Sequence, residues 1–529
     1  MASYSKKNIA IIFIASTLIM VVSSFNACFG PIKGGSDLQS LSICGTNPTH
    51  SQFHSGDGSA ANPFVICSPE HLLNIVNTTT YNSSHFRLGQ SIDLASISTQ
   101  DSIGYYDRNN LPTAQPFTGV FDGGNFTIDN LNIVAPPGTT RATGLFAHTN
   151  GARISNLYIT DANILGNTDA GILIGHAINT IVENVHVSGQ VLPTSDADSV
   201  GRAGGLIGYI EANGGVSRVQ NVTASALVRT LDSGSTLIGQ VFTRQLNDQV
   251  FVKNCSSAGT VLGLGANTFG NIVAYSNILG DSSRLEIDDC HTVSQINVIG
   301  VQGSWIGLLT GTILVNGDNT VVSITNSSGQ GSIMTPANFN VKGHVGGLIG
   351  HTVQSGTSSQ ILIDRTSADV DINITNPSPT DTNRSIAGLV GDVLIQSASS
   401  SSIFRISNSY SEGIITVNQV DGLGGIIGRV SVGLSPQLVE IVNSYSIVER
   451  VASVITNGHA IIGRSDGSGT AVYSNVYWNS NSFSTSDPLA SLGITKLTNI
   501  TVNQSASYAN WDFTNIWAIQ ENFSPPYLR

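Results

Sequence analysis

Carboxylates are the first place to look for chemistry in this chain. Asp288 and Asp289 are adjacent, and Asp364, Asp369 and Asp371 lie close together. Clustered acids can hold calcium for a polysaccharide lyase, and a pair at glycosidic distance can cleave a sugar linkage. Here Asp289 falls on a turn position of the repeat described below, and Asp364 should face outward. No acidic pair is expected at one register on neighbouring repeats. Histidines His186 and His291 stand at equivalent outward positions three repeats apart, ~14 Å at the spacing of stacked strands, too far to share a metal. The chain has no Gly-Lys-Ser/Thr phosphate loop, no Gly-x-Ser-x-Gly elbow and no His-Glu-x-x-His. No catalytic residue, metal or cofactor is therefore expected.

Two other residue types are placed suggestively. Tyr410, Tyr445 and Tyr477 occupy one register in consecutive repeats, so they should form a stacked outward ladder able to hold sugar rings; cross-strand packing is the plainer use of the same ladder. Of the five cysteines, Cys255 and Cys290 each follow the same repeat position in adjacent units. Stacking would bring their Cα atoms to ~4.8 Å, within the disulfide window, although two stacked thiols fit equally well. Cys44 and Cys67 could clip the N-terminal segment, which leaves Cys28 odd.

The elements that must position these residues are short strands in a repeat. Gly-Leu-Ile-Gly ends at Gly208 and Gly350, and variants of it end at Gly391 (Gly-Leu-Val-Gly) and Gly428 (Gly-Ile-Ile-Gly). Degenerate copies end at Gly175, Gly239, Gly270, Gly307 and Gly463, and Ala147 closes an earlier one. Successive ends lie 28 to 43 residues apart. Each copy is followed by an aliphatic residue two places before a polar one. The polar positions are Asn130, Asn156, Asn184, Asn221, Asn254, Asp289, Asn326, Arg365, Asn408, Asn443 and Asn475, with Asn130 belonging to a unit before the first tetrapeptide.

Aliphatics at every second place, separated by Gly, Ser, Asn and Asp, read as strand and turn rather than helix. Such a period gives a solenoid, here a right-handed parallel β-helix of roughly ten coils. Stacked asparagines would bond amide to carbonyl from coil to coil and fix the register, pointing inward in this reading. The glycines would permit close approach or positive φ at another corner. These tetrapeptides, the Ile-x-Asn that follows them and the opening Phe117-Thr-Gly-Val-Phe-Asp-Gly-Gly-Asn125-Phe-Thr-Ile128 resemble GLUG-motif proteins over roughly residues 56–529. The resemblance implies a secreted or surface-displayed β-helical protein, adhesin-like in role, with motif residues that are structural.

Four segments follow. Residues 1–24 carry Lys6 and Lys7, an apolar run and then small residues, the plan of a secretory signal. Residues 25–114 form an N-terminal segment and cap, with Ser68 and Pro69 opening a short helix. Residues 115–477 hold the β-helix. Residues 478–529, with Trp511 and Trp517, close it. Eleven Asn-x-Ser/Thr sequons occur. Asn77, Asn82, Asn373, Asn383, Asn499 and Asn503 suit glycosylation, whereas Asn221, Asn254 and Asn326 are ladder positions.

With 22 basic against 34 acidic residues and a net charge of −12, nucleic acid is an unsuitable partner. An extracellular protein that spans no membrane and binds carbohydrate or a surface protein through lateral loops fits best. The alternatives are a polysaccharide lyase or glycoside hydrolase on a pectin-lyase-like helix, and a matrix scaffold.

Overall fold

The computed structural model describes residues 41–45, 52–76, 78–98, 101–194, 201–265, 267–299, 304–335, 343–374, 384–396, 401–433, 438–467, 470–479 and 494–529. The basic-apolar leader, Cys28 and the sequons at Asn77 and Asn383 lie outside the described residues.

The chain winds into a parallel β-solenoid. A ten-stranded parallel sheet runs from Phe146–Asn150 to Ile462–Gly467, one strand per coil. A second, 30-stranded sheet forms the remaining sides, and its parallel pairing reaches from Phe64–Ile66 to Ile494–Leu497. Alternation drives the winding. Ile154, Val182, Val219, Val252, Ile287, Ile324, Ile363, Ile406 and Ile441 stack directly above one another and are buried. Each step removes apolar surface from water and also closes one rung of backbone bonds.

The corner after each of these aliphatics is turned by the left-handed residues. Asn156, Asn184, Asn221, Asn254, Asp289, Asn326, Arg365, Asn408, Asn443 and Asn475 all have φ between 45° and 56°, a region Asn tolerates better than most side chains. The amides form the expected ladder. Asn184 Nδ2 donates to Asn156 Oδ1 at 3.0 Å, Asn221 to Asn184 at 3.1 Å and Asn254 to Asn221 at 2.7 Å. Asn326 and Asn408 donate instead to Asp288 and Asp364 (both 2.8 Å), and Asn443 and Asn475 resume the chain.

Three expectations need correction. The ladder lies on an outer corner with its residues exposed or half-buried, because an interior amide would leave polar atoms unsatisfied among isoleucines. Asn130 is not part of it: Asp129 pairs with Thr160, which places Asn130 at the corner of Asp161, where it donates to Asp93. Finally, Gly270 and Gly307 belong to a different column. Val273 pairs with Ile238 and Thr310, so Ala274 and Gly311 stand where the tetrapeptide's last glycine is expected, while Gly307 pairs with Gly346.

Gly175, Gly208, Gly239, Gly350, Gly391, Gly428 and Gly463 do share one column, and close approach explains them. A Cβ on Gly208 would sit 2.5 Å from the Ala170 amide nitrogen, and one on Gly350 2.4 Å from that of Ile306. Their φ values are negative-side or extended, so positive φ plays no part.

Both ends are protected. Helix α1 (Pro69–Val76) buries His71, Leu72 and Ile75 against the first coil, and Ser68 Oγ accepts from the His71 amide as N-cap. Phe53, Phe64, Phe86, Phe117, Phe121 and Phe146 continue the core from there. Cys44 and Cys67 are bonded, as are Cys255 and Cys290, with Cα separations of 5.7 and 4.5 Å. Among the described residues no helix is long and apolar enough to cross a membrane.

Candidate functional site

Two columns of side chains carry the groups capable of chemistry. The first stands two places beyond the asparagine corner and reads Tyr158, His186, Thr223, Ser256, His291, Ser328, Ser367, Tyr410, Tyr445, Tyr477 in register. Tyr410 and Tyr445 stack at 5.1 Å and 5°. The ladder therefore exists, but it is not an open sugar platform. Tyr445 and Tyr477 are buried beneath Tyr508, Trp511 and Trp517, because residues 501–529 fold back over the flank instead of closing the last coil alone. Tyr445 Oη donates to the Pro526 carbonyl, and Tyr477 Oη accepts from the Ala509 amide at 2.8 Å. Covering Tyr445 and Tyr477 with two tryptophans removes a large apolar area from water.

Only Tyr410, at the rim of this lid, stays half-buried. Beside it lies a cleft of about 290 Å³ lined by Asp289, His291, Asn326, Arg365, Tyr410 and Arg529 together with serines of the same column. Arg529 is fixed there by bonds to the carbonyls of Trp517 and Phe513, both at 2.9 Å.

Next to Tyr410 the structure also corrects the reading of the acids. Asp369 pairs with Glu412 on the following coil, so an acidic pair does recur at one register. Burial, with the Asp369 charge second, holds the Glu412 carboxyl above its ordinary range. Asp369 accepts from Gln330 at 2.9 Å. The remaining acids are structural: Asp288 binds Thr325 and Asn326, Asp364 binds Ser407 and Asn408, and Asp371 accepts the Ile414 amide.

The second column follows the last glycine of each repeat: His148, His176, Tyr209, Gln240, Tyr275, Thr312, His351, Asp392, Arg429, Arg464. It lines the inner angle of the glycine bend, opposite the strand that precedes it. Sequence reasoning missed it, although a run with no aliphatic residue beside an aliphatic motif was the available signal.

Two clusters form in this angle. In the upstream one, Asp169 is fully buried, clamped by both guanidinium arms of Arg202 and by His176 Nδ1 at 2.8 Å. Burial pushes the Asp169 carboxyl up, but Arg202 and His176 outweigh it and hold it low. Tyr106 stacks on His176 at 4.0 Å, and Tyr209 covers its other side at 4.5 Å. Burial, and then His176, lower the neighbouring His148 to about 4.

In the downstream cluster, Asp392 is likewise buried and takes Arg429 in two bonds, at 2.6 and 3.1 Å. His351 Nδ1 lies 2.8 Å from Asp392 Oδ2, and His344 Nε2 lies 3.7 Å from the same oxygen. Burial raises Asp392, but His344, His351 and Arg429 together hold it well below the usual carboxylate range.

Among the residues expected to be glycosylated, Asn373 and Asn499 are exposed, Asn503 is half-buried and Asn82 donates to the Gln115 carbonyl. Asn221 and Asn254 are exposed, but their amide nitrogens are committed to the ladder.

No protein-family profile matches the chain. Halomucin from Haloquadratum walsbyi is 34% identical over 161 residues, which is 29% of this chain and 2% of Halomucin's own length. The chain thus spans a small fraction of that relative. Among solved structures, a Bacteroides ovatus protein provisionally assigned as an immunoglobulin A1 protease aligns with TM-score 0.30 and 14% identity, over 93% of this chain and 99% of the other. An IgA1 protease aligns with TM-score 0.24 and 17% identity, over 78% and 21% respectively. Neither TM-score reaches the level at which two chains share an arrangement of coils.

Proposed function

We propose that the chain is a secreted or cell-surface solenoid, adhesin-like and of the GLUG-motif type, which binds carbohydrate or a partner surface along its flank without catalysis. The observation that carries this reading is the cleft at the rim of the C-terminal lid. It offers one aromatic edge at Tyr410, hydroxyls of Ser328 and Ser367, the amide of Asn326 and two cations, Arg365 and Arg529. A few convergent polar groups beside an aromatic ring suit a sugar. Export is supported by two disulfides, which persist in oxidising compartments, by the leader-like N-terminus, and by the stretch similar to Halomucin. A glycan array probed with the purified chain tests the proposal. Selective binding lost in Tyr410→Ala is expected, and a wholly blank array would favour a scaffold.

A second reading rests on one pair. Asp369 and Glu412 pair at one register on adjacent coils, with backbones about one strand spacing apart, and a retaining glycosidase likewise needs two neighbouring carboxyls. The raised Glu412 suits a general acid. Release of sugars by the wild type but not by Glu412→Gln would support it.

A further inference from the structure

We infer that His344, His351 and Asp392 form a binding site for one divalent cation of the zinc class. One donor atom from each of the three lies within 4.8 Å of the others, so small side-chain shifts, with His351 and Asp392 parting slightly and His344 moving in, suffice to bring all of them to the ~2.0–2.2 Å zinc bond lengths for imidazole and carboxylate. Two imidazoles and one carboxylate are a borderline-soft donor set, which favours zinc, cobalt or nickel over calcium or magnesium.

The hydrogen bonds around the site fix how the donors face. Ser385 Oγ donates its only proton to the Gly391 carbonyl at 2.7 Å. It must therefore accept from His344 Nδ1, 2.7 Å away. That assignment places the lone pair of a neutral His344 on Nε2, the nitrogen that faces Asp392 Oδ2. A hydrogen-bonded serine behind a histidine is how metal sites set tautomer and ring orientation.

An independent observation points the same way. His351 is 8% exposed, and its Nδ1 has no hydrogen-bond partner although it sits 2.8 Å from Asp392 Oδ2. The contact is close but misaligned, so a buried nitrogen, a buried oxygen and the Nε2 of His344 converge with no proton properly shared between the first two. A cation would give His351 Nδ1 the partner it lacks. Trp305 stacks on His351 at 5.5 Å and 16° and shields the ring.

Arg429 is the obvious objection, since it already holds Asp392. A carboxylate offers about four lone pairs, and Arg429 takes one on each oxygen. The site thus keeps a lone pair on Oδ2, but its affinity is reduced by the nearby guanidinium charge.

The test is zinc titration of the metal-free full-length chain by calorimetry, with cobalt substitution as a spectroscopic readout. One equivalent of zinc and visible ligand-field bands with cobalt are expected. Both should disappear in the His344→Gln/His351→Gln double variant and survive in His176→Gln. Ser385→Ala should weaken zinc about 10- to 100-fold, and Arg429→Gln should strengthen it. If the double variant does not fold, the melting temperature of the wild type must still rise with zinc, and less so in Ser385→Ala. A folded wild type that takes up no stoichiometric zinc, or a folded double variant that binds it unchanged, overturns the inference.

Discussion

The two columns that run along this solenoid have been put to opposite uses. The flank column carries Tyr410, Tyr445 and Tyr477, residues that on sequence grounds invite a ligand. In the fold their faces are spent on Trp511 and Trp517. The bend column adjoins the glycine motif, which looks purely architectural, yet the angle it shares with the preceding strand holds buried Asp169 and Asp392, each with an arginine from the next coil and a histidine. In a solenoid every register position repeats, so residue type alone does not mark a site. What covers each column decides its use.

The difference can be broken most severely at the lid. Trp517 is fully buried, and Trp517→Ala should cost about 3–5 kcal/mol, as large aromatic truncations do. Chemical denaturation measures the loss, and new protease cuts in residues 501–529 should accompany it. An effect below about 1 kcal/mol would mean that the flank is not held by packing.

The bend column should respond through charge. Asp169→Asn leaves Arg202 buried without its counter-ion and should destabilise by about 3 kcal/mol. An Asp169→Asn/Arg202→Leu double variant should recover much of that, because the cost lies in the unpaired cation. Acid offers a second handle on the same column. His148 is held at about 4 in the fold against 6.5 when free, so the unfolded chain binds the extra proton between these values. Stability is then complete above pH 6.5 and falls as the pH drops toward 4, by roughly 3 kcal/mol at most. Asp169 and Asp392, whose folded pKa values lie below the ordinary 3.8, add a further loss only below that pH. A His148→Gln variant whose melting curve kept the full pH 4 to 6.5 dependence would detach the effect from this column.

The smallest effect belongs to the corner between the columns. Asn221→Ala loses two exposed ladder bonds, its donation to Asn184 and its acceptance from Asn254, and places a Cβ residue at φ 54°, together about 2 kcal/mol. Asn221→Gly loses the same bonds but not the backbone fit, so it should melt above the alanine variant.

Much of the architecture was legible because it repeats. The alternating aliphatics, the asparagine corner and the Ser68–Pro69 helix start are local signals, and each appears at its expected place in the chain, although the corner faces outward and not inward. Errors arose where coil lengths change. Between Gly239 and Gly350 the strict tetrapeptide is absent, and Gly270 and Gly307 lie one column upstream of the position they were assigned. That slip hid Tyr275 and Thr312 from the bend column and, with them, its continuity to His351 and Asp392. The Asp369–Glu412 pair escaped for a similar reason: Ser367 and Tyr410 fix its register, and the 43-residue offset between them is longer than any spacing nearby in the upstream coils. A tryptophan-bearing C-terminal closure was legible, but its return over the tyrosine flank was not, since nothing local to Tyr445 says that Pro526 will return to meet it.

Whether this flank binds or cuts is the central question, and one measurement addresses it. The purified chain would be incubated with pectin, other uronans and neutral glycans, and new reducing ends and unsaturated products would be quantified, in parallel with Glu412→Gln. A binding protein should release nothing above background in either form, while glycan retention survives Glu412→Gln and is lost in Tyr410→Ala. Product release by the wild type that vanishes in Glu412→Gln would contradict the account and make the acidic pair an active site.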